Sequence, residues 1–138
     1  MKSIRATLIE DNAILNFLFK KFLEEYTSRE ITPEIFENGQ LAWEHFISIE
    51  SHPELLPDII FLDINMPLMN GWQLLENLVN NNFEFIYKIP IYIVSSSQIS
   101  LDKNKMSEFP FLKDYLVKPI DKHTFYSLLD KYFEEDFK

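Results

Sequence analysis

Apolar and polar positions along this chain alternate between two periods. A short, mostly apolar run from Ile4 to Ile9 stops abruptly at Glu10-Asp11-Asn12 and reads as a strand. Leu15, Leu18, Phe19, Phe22, Leu23 and Tyr26 then recur at helical spacing on one face. Ile31 to Phe36 reads as a second strand, and Pro33 with its charged neighbours assigns it to a sheet edge. Asn38-Gly39 opens a helix with Leu41, Ala42, Phe46 and Ile49 as its apolar contacts, and Ser51 to Pro57 is a loop. The run Asp58-Ile59-Ile60-Phe61-Leu62-Asp63 is apolar on both faces between acidic ends, the pattern of a central strand in a sheet covered on both sides. After a turn at Pro67 to Gly71, Leu74, Leu75, Leu78 and Val79 mark a third helix. Ile91-Tyr92-Ile93-Val94 is another buried strand, ending in Ser95-Ser96-Ser97. The weakly patterned stretch from Ser100 to Phe111 predicts a short fourth helix. Tyr115-Leu116-Val117 is a last brief strand closed by Lys118-Pro119. Asp121 caps a final helix striped by Phe125, Leu128, Leu129, Tyr132 and Phe133.

Five strands alternating with five helices imply an α/β fold, a parallel sheet with helices on both faces. No repeat or interdomain linker interrupts it, so residues 1–138 are expected to form a single domain.

Composition narrows the function. Asp plus Glu number 22 against 13 Lys plus Arg, a net charge of −9. Such a surface repels phosphate backbones, which disfavours nucleic-acid binding and favours protein partners. With no cysteine, disulfides, zinc thiolate sites and thiol catalysis are excluded. Only two glycines are present, Gly39 and Gly71, too few for a P-loop or a dinucleotide-binding turn. No signal peptide and no apolar run approaching roughly 18 residues is found, so no membrane association and a cytoplasmic location are expected.

In parallel sheets ligands bind beyond the carboxyl ends of the strands. Those ends carry Glu10 and Asp11, Asp63, Ser95 and Lys118. Singly, each has a plain reading: an acidic pair at a helix start, a turn cap, a polar loop, a solvated lysine. Their arrival at successive strand ends favours a shared site. Two like charges about 4 Å apart repel by about 4 kcal/mol at an effective dielectric near 20. Three carboxylates and one lysine therefore call for a further cation or raised pKa values. Mg²⁺ fits, because it takes a few carboxylate oxygens with waters and a phosphate oxygen. A carboxylate beside Mg²⁺ and Lys is equipped to attack a phosphoryl group.

The segments Leu8-Ile9-Glu10-Asp11-Asn12, Pro57 through Asp63 to Pro67 and Gly71, Val94-Ser95-Ser96 and Tyr115-Leu116-Val117-Lys118-Pro119 resemble the response-regulator receiver family. The resemblance runs from about Ile4 to Phe133. It implies a flavodoxin-like (βα)5 fold with sheet order 2-1-3-4-5. It further implies that Asp63 accepts a phosphoryl group from a histidine kinase or a histidine phosphotransfer protein. Glu10, Asp11, Asp63 and the backbone carbonyl of Asn65 would hold Mg²⁺, while Ser95 and Lys118 would contact the phosphoryl oxygens. Ser95 and Tyr115 would form a switch that remodels the face made by the fourth helix, the last strand and the last helix. A cis peptide bond is implied before Pro119.

Ser95 stands where threonine is also common in that family, and the hydroxyl is kept. Phe83, Phe85, Ile86 and Tyr87 are expected to pack beneath the third helix, with a partner-binding patch as the other reading. After Phe133 only five residues remain, so the domain is expected to act without an attached output module, by binding an unidentified protein or relaying its phosphoryl group, as a monomer or weak dimer. Three other readings compete: a receiver-like binding platform that is never phosphorylated, an aspartyl-phosphate phosphatase and a flavodoxin-like electron carrier. The phosphatase class usually has a second acid two residues after the nucleophile, where Asn65 stands. The electron carrier needs a Ser-, Thr- and Gly-rich loop where Glu10-Asp11-Asn12 stands.

Overall fold

The computed structural model describes residues 3–26, 29–96 and 104–133. The chain runs β1 (Ile4–Ile9), α1 (Ala13–Glu25), β2 (Ile31–Phe36), α2 (Gly39–Ile49), β3 (Ile59–Asp63), α3 (Gly71–Asn80), β4 (Ile91–Ser95), β5 (Asp114–Val117) and α4 (Lys122–Phe133). One-turn 3-10 segments lie at Pro53–Leu55, Glu84–Tyr87 and Met106–Glu108. All strand pairs are parallel, in the order β2-β1-β3-β4-β5.

The doubly apolar run of β3 sits at the centre of this sheet, and every one of its residues is buried. Successive side chains point to opposite faces. Ile60 and Leu62 join Phe46, Ile49, Leu74, Leu75 and Leu78 of α2 and α3. Ile59 and Phe61 join Phe19, Leu23, Phe125 and Leu129 of α1 and α4. The Phe61 ring lies 5.9 Å from that of Phe19 and 4.9 Å from that of Phe125, which ties both helices to the central strand. Burying each such side chain contributes about 1.5–3 kcal/mol before the entropy cost of ordering it. The strand holding Pro33 lies at the edge, where a missing N–H costs no ladder bond.

Short polar side chains start the helices. The Asn12 side chain accepts from the N–H groups of Ile14 and Leu15 at 2.9 and 3.1 Å. Asn38 accepts from Leu41 N–H at 2.8 Å, and Asp121 from Thr124 N–H at 2.7 Å. Asn70 and Gln73 form a reciprocal capping box on α3.

Two assignments of apolar faces need correction. Leu18 and Leu41 are 42% and 45% exposed, whereas the spacing placed both in the core. Each lies about 100° around its helix from the nearest buried position, Phe19 or Ala42, and so falls off the covered stripe. Phe83, Phe85 and Ile86 are buried against α2 and α3 as expected, while Tyr87 is exposed with its ring against Phe111. Residues 97–103, which hold Ser97 and the start of the expected fourth helix, lie outside the described residues; from 104 the chain is helical and tightens into the Met106–Glu108 turn. Among the described residues, no helix is long and apolar enough to cross a membrane.

Candidate functional site

Parallel register determines what meets at the carboxyl edge. Ile9 pairs with Leu62, Asp63 with Val94 and Ser95 with Val117, so the residues at or just past these positions share one rim. One carboxylate oxygen from each of Glu10, Asp11 and Asp63 lies within 4.8 Å of the others. Glu10 and Asp63 are buried and Asp11 is exposed. Lys118, just past β5, places Nζ 2.5 Å from Glu10 Oε1 and 3.4 Å from Asp63 Oδ1.

Backbone donors complete the two buried carboxylates. Asn12 N–H donates to Glu10 Oε2 at 3.1 Å, and Asn65 N–H donates to Asp63 Oδ1 at 3.3 Å. Burial pushes the Glu10 carboxyl up to about 7 against the pull of the Lys118 hydrogen bond; the Asp63 charge adds to the rise. Burial raises Asp63 as well, although the Lys118 charge and the Asn65 N–H oppose it. Both rises have burial as their first cause, and the single ammonium of Lys118 offsets it only in part. An all-oxygen donor set of this kind, without His or Cys, suits a hard cation such as Mg²⁺.

Ser95 is fully buried at the end of β4, and its carbonyl accepts from Lys118 N–H at 2.8 Å. Tyr115 pairs with Ile93 on β5 and packs its half-buried ring against the core on the α2 and α3 side. Because Ser95 pairs with Val117, two residues beyond Tyr115, Ser95 and Tyr115 point to the same face of the sheet. The Lys118–Pro119 peptide is cis.

Several supports of the site carry no acidic or basic group. Gly71 N–H donates to the Ile64 carbonyl at 3.2 Å, and a Cβ on Gly71 would lie 2.5 Å from the Asp63 carbonyl oxygen. Gly39 N–H donates to the Met69 carbonyl at 3.0 Å, where a Cβ would collide with that oxygen. Leu68 takes the left-handed conformation, φ 68°, at the tip of this loop. The first glycine thus lets the loop after Asp63 fold back on its own strand, and the second docks the start of α2 on that loop. Asn16 Nδ2 donates to the Glu10 carbonyl at 2.9 Å. The sequence reading missed Asn12 as a cap, although an Asn just before an apolar-periodic run is a helix-start signal. Nothing in the sequence pattern marked Asn16.

Comparison with known proteins agrees with this geometry. The model of the response regulator receiver domain family matches residues 6–130. The chain is 31% identical over 128 residues to an uncharacterised response regulatory protein of Vibrio cholerae, covering 91% of this chain and 43% of that protein. It is 26% identical over 120 residues to a protein-glutamate methylesterase/protein-glutamine glutaminase of Geobacillus kaustophilus, covering 86% of this chain and 31% of that protein. It therefore spans less than half the length of either relative. Among solved structures, a two-component response regulator from Cytophaga hutchinsonii superposes with a TM-score of 0.81 at 25% identity, covering 96% of this chain and 99% of that one. A chemotaxis protein of Vibrio cholerae shares the fold, with a TM-score of 0.75 at 17% identity and coverage of 96% and 100%. With residues 6–130 matched and the acid cluster at the expected strand ends, this chain belongs to the response regulator receiver domain family of two-component signalling.

Proposed function

We propose that the chain is a phosphoacceptor switch in which Asp63 takes a phosphoryl group from a phosphohistidine on a histidine kinase or a histidine phosphotransfer protein. The observation that carries this reading is the setting of Asp63. It ends the central strand, buried, 3.4 Å from the Lys118 ammonium and with Glu10 and Asp11 oxygens within 4.8 Å.

Glu10, Asp11, Asp63 and the Asn65 carbonyl would hold Mg²⁺. Bound there, Mg²⁺ supplies positive charge against the oxygens of the transferring group. Asp63 offers a carboxylate oxygen to phosphorus; the new O–P bond forms as the N–P bond breaks, and the electron pair of that bond returns to the imidazole nitrogen. Lys118 pairs with a phosphoryl oxygen, which requires its Nζ to turn from Glu10 towards the acceptor. The Ser95 hydroxyl donates to another oxygen, and the inward movement of its strand end makes room for the Tyr115 ring on the same face. That shift alters the surface around β5 and α4 and so changes which protein binds. No specific observation favours an unphosphorylated binding platform, since Glu10, Asp63 and Lys118 all stand within contact at the pocket. The net charge of −9 disfavours nucleic-acid contact and suits a protein partner.

The test is incubation with acetyl phosphate and Mg²⁺, read by intact mass. The wild type gains one phosphoryl group and Asp63→Asn gains none; labelling of Asp63→Asn at the wild-type level would sink the assignment.

A further inference from the structure

Each polar atom of Glu10 has a partner. Its N–H donates to the Phe36 carbonyl at 2.9 Å, Oε2 accepts from Asn12 N–H at 3.1 Å, and Oε1 faces Lys118 Nζ at 2.5 Å. Its carbonyl accepts from Asn16 Nδ2 at 2.9 Å. Asn16 is the one neutral side chain in this set. A carbonyl oxygen can only accept, so the amino end of the Asn16 amide must face Glu10. That orientation leaves Asn16 Oδ1 buried without a hydrogen-bond partner. An apolar residue would fill this position of α1 without that penalty. What Asn16 offers, and an apolar residue does not, is the bond to Glu10.

The bond acts beyond Glu10. A peptide group is planar, so holding the Glu10 carbonyl also orients the nitrogen and Cα of Asp11. Asp11 needs such help, because its carboxylate has no hydrogen bond or ion pair of its own among the described residues. We propose that Asn16 is a positioning residue: through the Glu10 carbonyl it sets the Glu10–Asp11 peptide plane, and with it the place of the Asp11 carboxylate in the three-acid cluster. The inference rests on the reading of that cluster as a Mg²⁺ site.

The test is Mg²⁺ titration calorimetry on wild type, Asp11→Asn and Asn16→Leu, with thermal melts in EDTA. Asn16→Leu keeps the shape and loses the donor. It is expected to lower Mg²⁺ affinity about tenfold while its metal-free melting temperature changes little, since the orphaned Oδ1 is removed as the Glu10 carbonyl loses its donor. Wild-type affinity in a folded Asn16→Leu protein overturns the positioning role and leaves the metal site standing. A wild type that takes up no Mg²⁺ overturns the metal site and this role together. If the variant does not fold, the wild type decides by NMR. The Asn16 side-chain amide protons should shift along the same Mg²⁺ titration curve as the Asp11 backbone amide. Resonances indifferent to Mg²⁺ contradict the proposal.

Discussion

The Lys118 ammonium lies closer to Glu10 than to Asp63: 2.5 Å from Glu10 Oε1, against 3.4 Å from Asp63 Oδ1. Glu10 is thus the nearer counter-charge of Lys118, and the lysine is held beside Asp63 as well. Replacing Lys118 by Met leaves two buried acids with no cation. The variant should be destabilised by about 3–5 kcal/mol at pH 8 and by less at pH 5, where the acids take up protons. Urea unfolding at the two pH values checks this, and equal losses at both would contradict it.

The raised pKa of Glu10 carries a sign. Its ordinary value is 4.5 and its folded value about 7, so between those limits the folded state binds more protons than the unfolded one. Stability of the metal-free protein therefore falls as pH rises through this window, by an amount on the order of a few kcal/mol. Glu10→Gln should flatten the fall. The measurement is urea unfolding in EDTA from pH 5 to 8; a wild type that gains stability over that range contradicts the burial argument.

Asp11 is the exposed member of the cluster. Asp11→Asn relieves less repulsion than a change at either buried acid. A rise of a degree or two in metal-free melting temperature is expected, from well under 1 kcal/mol, together with a clear loss of Mg²⁺ affinity. Trp72 fluorescence can follow the titration, and an unchanged curve would remove Asp11 from the metal set.

Much of this arrangement was legible in the sequence, for identifiable reasons. Unbroken apolar character marked β3 as central, and Pro33 marked β2 as an edge, because burial and missing N–H groups restrict where such residues fit. Glu10, Asp11, Asp63, Ser95 and Lys118 could be placed on one rim because strand ends in a parallel sheet lie side by side. Leu18 and Leu41 were misplaced because helical spacing gives the direction of an apolar stripe and not its width. The preference of Lys118 for Glu10 is a matter of distance, which residue type does not encode. The Asn16 contact ends on a main-chain carbonyl, and no residue type at position 10 announces that partner.

Gly71 offers a steric test of how the loop after Asp63 is held. With a Cβ only 2.5 Å from the Asp63 carbonyl oxygen, Gly71→Ala must move the strand end or the start of α3. A loss of about 1–3 kcal/mol is expected, accompanied by slower labelling of Asp63. Wild-type stability and labelling rate together would show that the close approach is not maintained in solution.

The proposed switch predicts a separation of labelling from response. Ser95→Ala should still accept a phosphoryl group on Asp63, while losing most of the amide chemical-shift changes around Tyr115 that beryllium fluoride, a phosphoryl mimic, induces in the wild type. The full wild-type pattern in Ser95→Ala would mean that the domain signals by another route.

The central claim is that the phosphoryl group resides on Asp63. Borohydride reduces an acyl phosphate to the alcohol, so an aspartyl phosphate becomes homoserine and marks its own position. After labelling with acetyl phosphate and Mg²⁺, reduction and peptide mass analysis, homoserine is expected at position 63 alone. Homoserine at position 11, or a phosphoryl group that survives borohydride on a hydroxyl side chain such as Ser95, would contradict the account.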